Sequence, residues 1–175
     1  MQQQIRQESA PTIAAVMIVK DEAVNLPKCL ASIQDYVDEI VIVDTGSTDD
    51  TMKIARSYAK VKLFEHPWAD SFSEARNYSI QMAMEHTDCD WFLIMDADEM
   101  LMGKTGESRK PVLVDIEASS TNMQAIKCNV INPTRDGEGR IQAERIFRRG
   151  GIKYEKRAHN QPRYKPPHGM CPVTI

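Results

Sequence analysis

Short apolar runs and helical spacings alternate through the first hundred residues of the chain. Ile13–Val19 (IAAVMIV) is continuously apolar, the pattern of a strand buried on both faces. Asn25-Leu26-Pro27 reads as a helix start, a capping residue with proline in the first turn, and Leu26, Leu30 and Ile33 then share one face. Glu39–Val43 (EIVIV) is a second buried strand. Ser47 or Thr48 is placed to cap the next helix, whose stripe is Met52, Ala55, Tyr58 and Ala59. Val61–Phe64 is a shorter third strand, Ser71–Glu85 has helical spacing, and Trp91–Met95 (WFLIM) is a fourth buried strand. Strands alternating with helices of this size predict crossover connections: an α/β fold with a mostly parallel sheet and helices on both faces.

The character changes after Met95. Lys104–Lys110 reads as a polar loop and Pro111 as the opening of a short helix. Gln124–Asn132 alternates, with Ile126, Cys128 and Val130 on one face, and Ile141–Arg148 reads as the returning strand of a C-terminal hairpin across the turn Arg135–Arg140. Residues 162–175 hold four prolines and little periodicity, so they read as an extended coil.

Composition narrows the class. A chain of 175 residues fits one domain at about 100–200 residues per domain. A net charge of −3 gives no general pull toward nucleic acid or anionic lipid. The longest uncharged stretch, Ser9–Val19, falls well short of the ~18 residues a membrane span needs. Met1–Ala10 is polar, without the apolar core of a secretory signal, so an intracellular, cytoplasmic protein is expected. Cys29, Cys89, Cys128 and Cys171 lack zinc-site spacing and are expected to be reduced.

Five segments carry candidate chemistry. Asp96-Ala97-Asp98-Glu99 follows the WFLIM strand directly. Open parallel sheets bind ligands beyond the carboxyl ends of their strands, and two carboxylates there suit a hard divalent cation whose shell phosphate completes. Asp44-Thr45-Gly46-Ser47 ends the second strand, joining an acid, a glycine turn and a helix start in a way that suits a nucleotide. Taken alone, each is also an ordinary acidic turn or capped connection. Lys20-Asp21-Glu22 ends the first strand. Arg76, early in the third helix, either pairs with a diphosphate through its forked guanidinium or forms a surface pair one helical turn away. His159, within Tyr154–Gln161, is a structural histidine or, beside a metal, a third ligand. The basic residues from Arg145 to Lys165 are either a solvated edge or a cationic mouth for an anionic donor. Neither G-x-G-x-x-G nor G-x-x-x-x-G-K-[ST] is present.

Taken in order, VMIVKDEAVNLPKCLASI, EIVIVDTGSTDDT, FSEARN, DWFLIMDADE and RIFRR with YEKRAHNQ resemble family-2 inverting glycosyltransferases of the GT-A fold, in particular the small bacterial and phage-type subset with the VDTGSTD signature. The resemblance covers residues 12–161: a nucleotide-binding half over about 12–100 and an acceptor-side segment over about 101–161, between a polar tail (1–11) and the extended 162–175. It implies a nucleotide-sugar donor, most often a UDP-sugar, an acceptor that is a glycan, lipid or protein, and Mn²⁺ or Mg²⁺. By position it implies that Ile18, Lys20, Glu22, Asp44, Thr45 and Ser47 line the base and ribose pocket, with Arg76 near the nucleotide. Asp96, Asp98 and His159 would hold the metal, Asp98 most directly.

Three departures matter. Thr45 stands where many members carry a second acid, and Asn160 where many carry an acid after the histidine. The family's domain also usually continues past Ile175, so the acceptor side is expected to be minimal, supplied by another chain, or missing. The implied reaction is single displacement at the anomeric carbon. With Asn160 unable to take a proton, Glu155 and His168 are the other residues considered as base, and the rival reading is a catalytically weak nucleotide-sugar-binding domain or partner subunit. An aspartate-nucleophile phosphatase would want Thr or Val where Met100 stands, and a nucleotidyltransferase a glycine- and lysine-rich loop near the first strand.

Overall fold

The computed structural model describes residues 11–101, 123–134, 137–157, 161–164 and 168–174. Its elements in chain order are β1 (Ile13–Val19), α1 (Leu26–Ile33), β2 (Glu39–Asp44), α2 (Thr51–Arg56), β3 (Val61–Glu65), α3 (Phe72–His86), β4 (Trp91–Ile94), β5 (Ala125–Thr134), β6 (Gly137–Arg148), β7 (Ile152–Glu155), β8 (Gln161–Tyr164) and β9 (His168–Thr174).

β1 is the axis of the molecule because it is apolar on both faces. Ile13, Ala15, Met17 and Val19 pack into one core with Leu26, Cys29, Leu30 and Ile33 of α1 and Ala55 of α2. Ala14 and Val16 face the other way, into a core shared with Ile80, Met82 and Ala83 of α3. The period-2 alternation of a strand thus splits one run of sequence between two layers. Full burial of each large apolar side chain contributes ~1.5–3 kcal/mol, so truncating Leu30 to Ala in this packed layer costs ~2–5 kcal/mol.

The main sheet has seven strands in the order β3-β2-β1-β4-β6-β5-β9. β1 pairs in parallel with β2 and β4, and β2 with β3. β6 is antiparallel to both β4 and β5, whereas β9 lies parallel to β5, so β6 alone opposes the rest. The α/β architecture, the helices on both faces and the β5–β6 hairpin agree with the sequence pattern. β7 and β8 form a separate antiparallel pair that seats Ile152 and Tyr154 against the α3 core.

Four local expectations need correction. Asn25 occupies the cap position of α1 without a side-chain cap bond; its amide instead donates to Glu22 Oε2. α2 begins at Thr51, not after Ser47 or Thr48, and Asp49 Oδ1 accepts from the Thr51 backbone N–H. The β5–β6 turn is tighter than expected, since Gly137–Arg140 pairs with Ile131–Thr134 inside the hairpin. Residues expected as an extended coil supply β8 and β9. Pro162 sits in the two-stranded β7–β8 pair and Pro172 in the edge strand β9, the places where a residue without an N–H is tolerated. The loop expected over 104–110 and the helix opening at Pro111 lie outside the described residues.

Candidate functional site

The carboxyl ends of β1, β2 and β4 open on one side of the sheet, at a cleft of about 600 Å³. Ile18, Val19, Lys20, Glu22, Thr45, Trp68, Phe72, Arg76, Asp96, Ala97 and Asp98 line it. The sequence places these residues in seven separate stretches, and the parallel sheet brings them together because three strands end at the same level.

Two connections are latched to each other to shape one wall. After β1, the Asp21 backbone N–H donates to Ser47 Oγ, while Asp21 Oδ1 accepts from the Thr48 N–H at 2.7 Å. Asp21 is held at φ 54, in the left-handed region. The Glu22 N–H donates to Thr51 Oγ1 and the Ala23 N–H to Asp49 Oδ2. After β2, Asp44 Oδ1 accepts from the Gly46 and Ser47 N–H groups at 2.9 and 2.8 Å, a tight acidic turn that needs Gly46 at φ 111. Asp44 is only 2% exposed, and its Oδ2 is buried with no hydrogen-bond partner among the described residues. Asp44 is thus buried beneath the turn, and neither it nor the half-exposed Ser47 is among the residues that line the cleft. Thr45 does reach the cleft, and its hydroxyl donates to Val19 O at 3.1 Å.

The opposite wall is a chain of charges. Ser71 caps α3 by accepting from the Glu74 N–H, which sets the helix phase so that Arg76 turns inward at 6% exposure. Its guanidinium donates to Asp96 Oδ1 and, at 3.4 Å, to Met95 O. Arg76 is thus neither a surface residue nor paired one helical turn away. The Asp96 N–H donates to Glu99 Oε2 at 2.9 Å, and Glu99 Oε1 accepts from Arg145 of β6. Burial raises the Glu99 carboxyl above its usual range, against the opposing pull of Arg145. Beneath this turn, Cys29 contacts Asp96 O, and burial together with the carboxylates Glu99, Asp96 and Asp98 pushes its thiol up to about 12. Cys29, Cys89 and Cys128 are buried.

Asp98 is exposed and makes no hydrogen bond or ion pair among the described residues. Its two oxygens and Asp96 Oδ2 are hard donors on the cleft floor, a set that fits a divalent cation provided ligand oxygens complete the shell. No cluster of three or more His, Cys, Asp or Glu side chains able to hold a metal occurs among the described residues. His159 and Asn160 lie outside those residues, and for His168 the backbone alone is described, in β9. Trp68 and Phe72 line the cleft without having been anticipated. Two aromatics four residues apart at the entry to a helix were the available signal.

No helix among the described residues is long and apolar enough to cross a membrane. Residues 14–162 match the family model described as Glycosyl transferase family 2. A TPR repeat-containing protein of Synechococcus elongatus is 50% identical over 90 residues, covering 51% of this chain and 21% of that protein. The prophage-derived glycosyltransferase SunS of Bacillus subtilis is 30% identical over 156 residues, covering 87% of this chain and 35% of SunS. The chain therefore spans about a third or less of the length of these relatives. Among solved structures, S. aureus TarS 1-349 in complex with UDP-GlcNAc superposes with a TM-score of 0.53 at 19% identity, over 70% of this chain and 36% of that one. Glucosyl-3-phosphoglycerate synthase from Mycobacterium tuberculosis in complex with Mg²⁺ and UDP superposes with a TM-score of 0.50 at 23% identity, over 69% and 44%. A family model spanning nearly the whole described α/β unit, on a sheet that matches these structures, makes the chain a member of glycosyl transferase family 2 with a GT-A fold.

Proposed function

We propose that the cleft binds a nucleotide-sugar donor of the UDP-sugar kind, and that the chain transfers the sugar to an acceptor hydroxyl with inversion at the anomeric carbon, with Mn²⁺ or Mg²⁺ bound. The observation that carries this reading is the convergence of Asp96, Asp98 and Arg76 at the carboxyl end of β4, beside the latched ends of β1 and β2. The UDP-GlcNAc complex of TarS and the Mg²⁺–UDP complex of the mycobacterial synthase support the ligand class.

Each residue has a chemical task in this reading. Glu22 Oε1 has no partner among the described residues and is an acceptor for ribose hydroxyls, with Ile18 and Thr45 shaping the pocket beside it. Asp44 and Ser47 hold the turn that presents Thr45. Lys20 is an exposed cation at the rim that attracts a diphosphate. Arg76 uses two of its five N–H donors on Asp96 and Met95, leaving others for phosphate oxygens. Asp96 and Asp98 would hold the divalent ion, which when bound neutralises charge building on the departing diphosphate. A base takes the proton of the acceptor hydroxyl as that oxygen forms its bond to the anomeric carbon, and the bond from that carbon to the diphosphate oxygen breaks on the opposite face. Preorganised cations at the departing group account for most of the rate such a site can supply.

A panel of nucleotide sugars tested by thermal shift, with and without Mn²⁺, tests the proposal. UDP-sugars with Mn²⁺ should raise Tm by mass action, because ligand binding only the native state stabilises it. A panel in which no nucleotide sugar moves Tm contradicts the proposal.

A further inference from the structure

We infer that Trp68 and Phe72 form a stacking wall for the donor's nucleobase, a role that rests on the donor reading above and adds to it the face against which the base lies. The two rings meet edge to face, with centroids 4.8 Å apart and planes at 71°. Both line the cleft, and Phe72 keeps 48% of its surface exposed although it opens a packed helix. An edge-to-face pair leaves a flat π-surface uncovered, and flat bases stack on such surfaces irrespective of their hydrogen-bonding edges.

Position decides which part of the ligand meets this wall. Trp68 lies in the connection from β3 to α3, and the strand order puts β3 and β2 on one side of β1 and β4 on the other. The carboxylates after β4 and the Arg76 guanidinium therefore draw the diphosphate to one end, leaving the aromatic pair for the uncharged, planar end. The exit of β1 offers Ile18, Val19 and Lys20, none of them aromatic, so the stacking face comes from the β3–α3 connection. That connection is pinned before ligand arrives. The His66 N–H donates to Asp44 O, the His66 ring stacks on Tyr78 at 4.3 Å, and the Phe72 N–H donates to Arg157 O. A pinned platform loses little entropy on binding.

The chain supplies its own optical probe, since it has two tryptophans and the other, Trp91, is 3% exposed in the core under the Arg148 guanidinium. UDP with Mg²⁺ should quench the tryptophan emission of the full chain, whereas Mg²⁺-pyrophosphate, which has no base, should bind without quenching. Trp68→Ala should abolish the optical change and weaken UDP about tenfold, equivalent to ~1.4 kcal/mol, while leaving pyrophosphate affinity unchanged. Trp68→Tyr should restore most of the UDP affinity, and Phe72→Leu should weaken UDP in the same selective way. Calorimetric binding of UDP with no emission change and no loss in Trp68→Ala overturns this inference and leaves the donor reading standing. Equal losses for UDP and pyrophosphate in Trp68→Ala overturn it too, because the residue would then act on the whole cleft. Failure of UDP to bind the wild-type chain overturns both.

Discussion

Arg76 of α3 and Asp96 at the end of β4 form an ion pair whose basic partner is almost wholly buried while the acid stays 42% exposed on its side chain. The pair ties the helix on one face of the sheet to the turn that carries both candidate metal-binding carboxylates. An arginine buried this way is stable only while its N–H groups are met. Arg76→Ala should therefore lower stability by about 1–3 kcal/mol, for the buried contacts it removes, and weaken UDP binding as well. Arg76→Lys should recover part of the stability and little of the binding, since an ammonium cannot reproduce the forked geometry. Denaturant melts and calorimetry on both variants check this. An unchanged melt would show that the pair has no part in holding the turn.

Asp96 and Asp98 differ in their surroundings despite being two residues apart. Asp98 is exposed and unpartnered among the described residues, so Asp98→Asn should leave the unfolding free energy within about 0.5 kcal/mol of wild type, as surface substitutions do. Asp96→Asn replaces the charged partner of a buried arginine and should lower Tm measurably. A scan of both variants without ligand separates the two roles.

Tyr164 gives a pH test of the β7–β8 pair. Its hydroxyl donates to Glu144 Oε1 at 2.7 Å, and burial, followed by that bond and the Glu144 charge, pushes its pKa up to about 12 from 10.0. The folded state then holds this proton more tightly than the unfolded chain. The contribution is complete below pH 10 and fades as the pH rises through 10 to about 12. Urea melts from pH 8 to 11 should show stability falling more steeply above pH 10 in wild type than in Tyr164→Phe. Parallel curves would contradict the assignment.

Asn160 offers a test that depends on chemistry alone. An amide takes no proton at neutral pH, so Asn160→Asp should raise sugar transfer or donor hydrolysis by roughly tenfold or more without tightening UDP, the signature of help confined to the transition state. Flat turnover with a verified acceptor would place the base elsewhere.

The first half of the fold was legible because both signals it uses are local. Ile13–Val19 and Trp91–Ile94 are apolar on both faces, which fixes a buried parallel strand, and an acid pair straight after such a strand has few places to go. The arrangement of Arg76 was not legible. A helix pattern shows which residues share a face, but the partner of Arg76 is twenty positions away on another element, and only the sheet order brings them together. Ser47 and Thr48 look like caps in sequence, yet their groups go to Asp21 across the latch, a competition that local propensity does not report. β8 and β9 were hidden for a similar reason, since their proline-rich residues become strands only because β7 and β5 present edges to them.

Calorimetry of UDP against the full chain, with Mn²⁺ and then with excess chelator, tests the central claim most directly. The account predicts Mn²⁺-dependent binding that Asp98→Asn weakens by roughly tenfold or more, equivalent to ~1.4 kcal/mol or more. UDP affinity unchanged by both chelator and Asp98→Asn would contradict it.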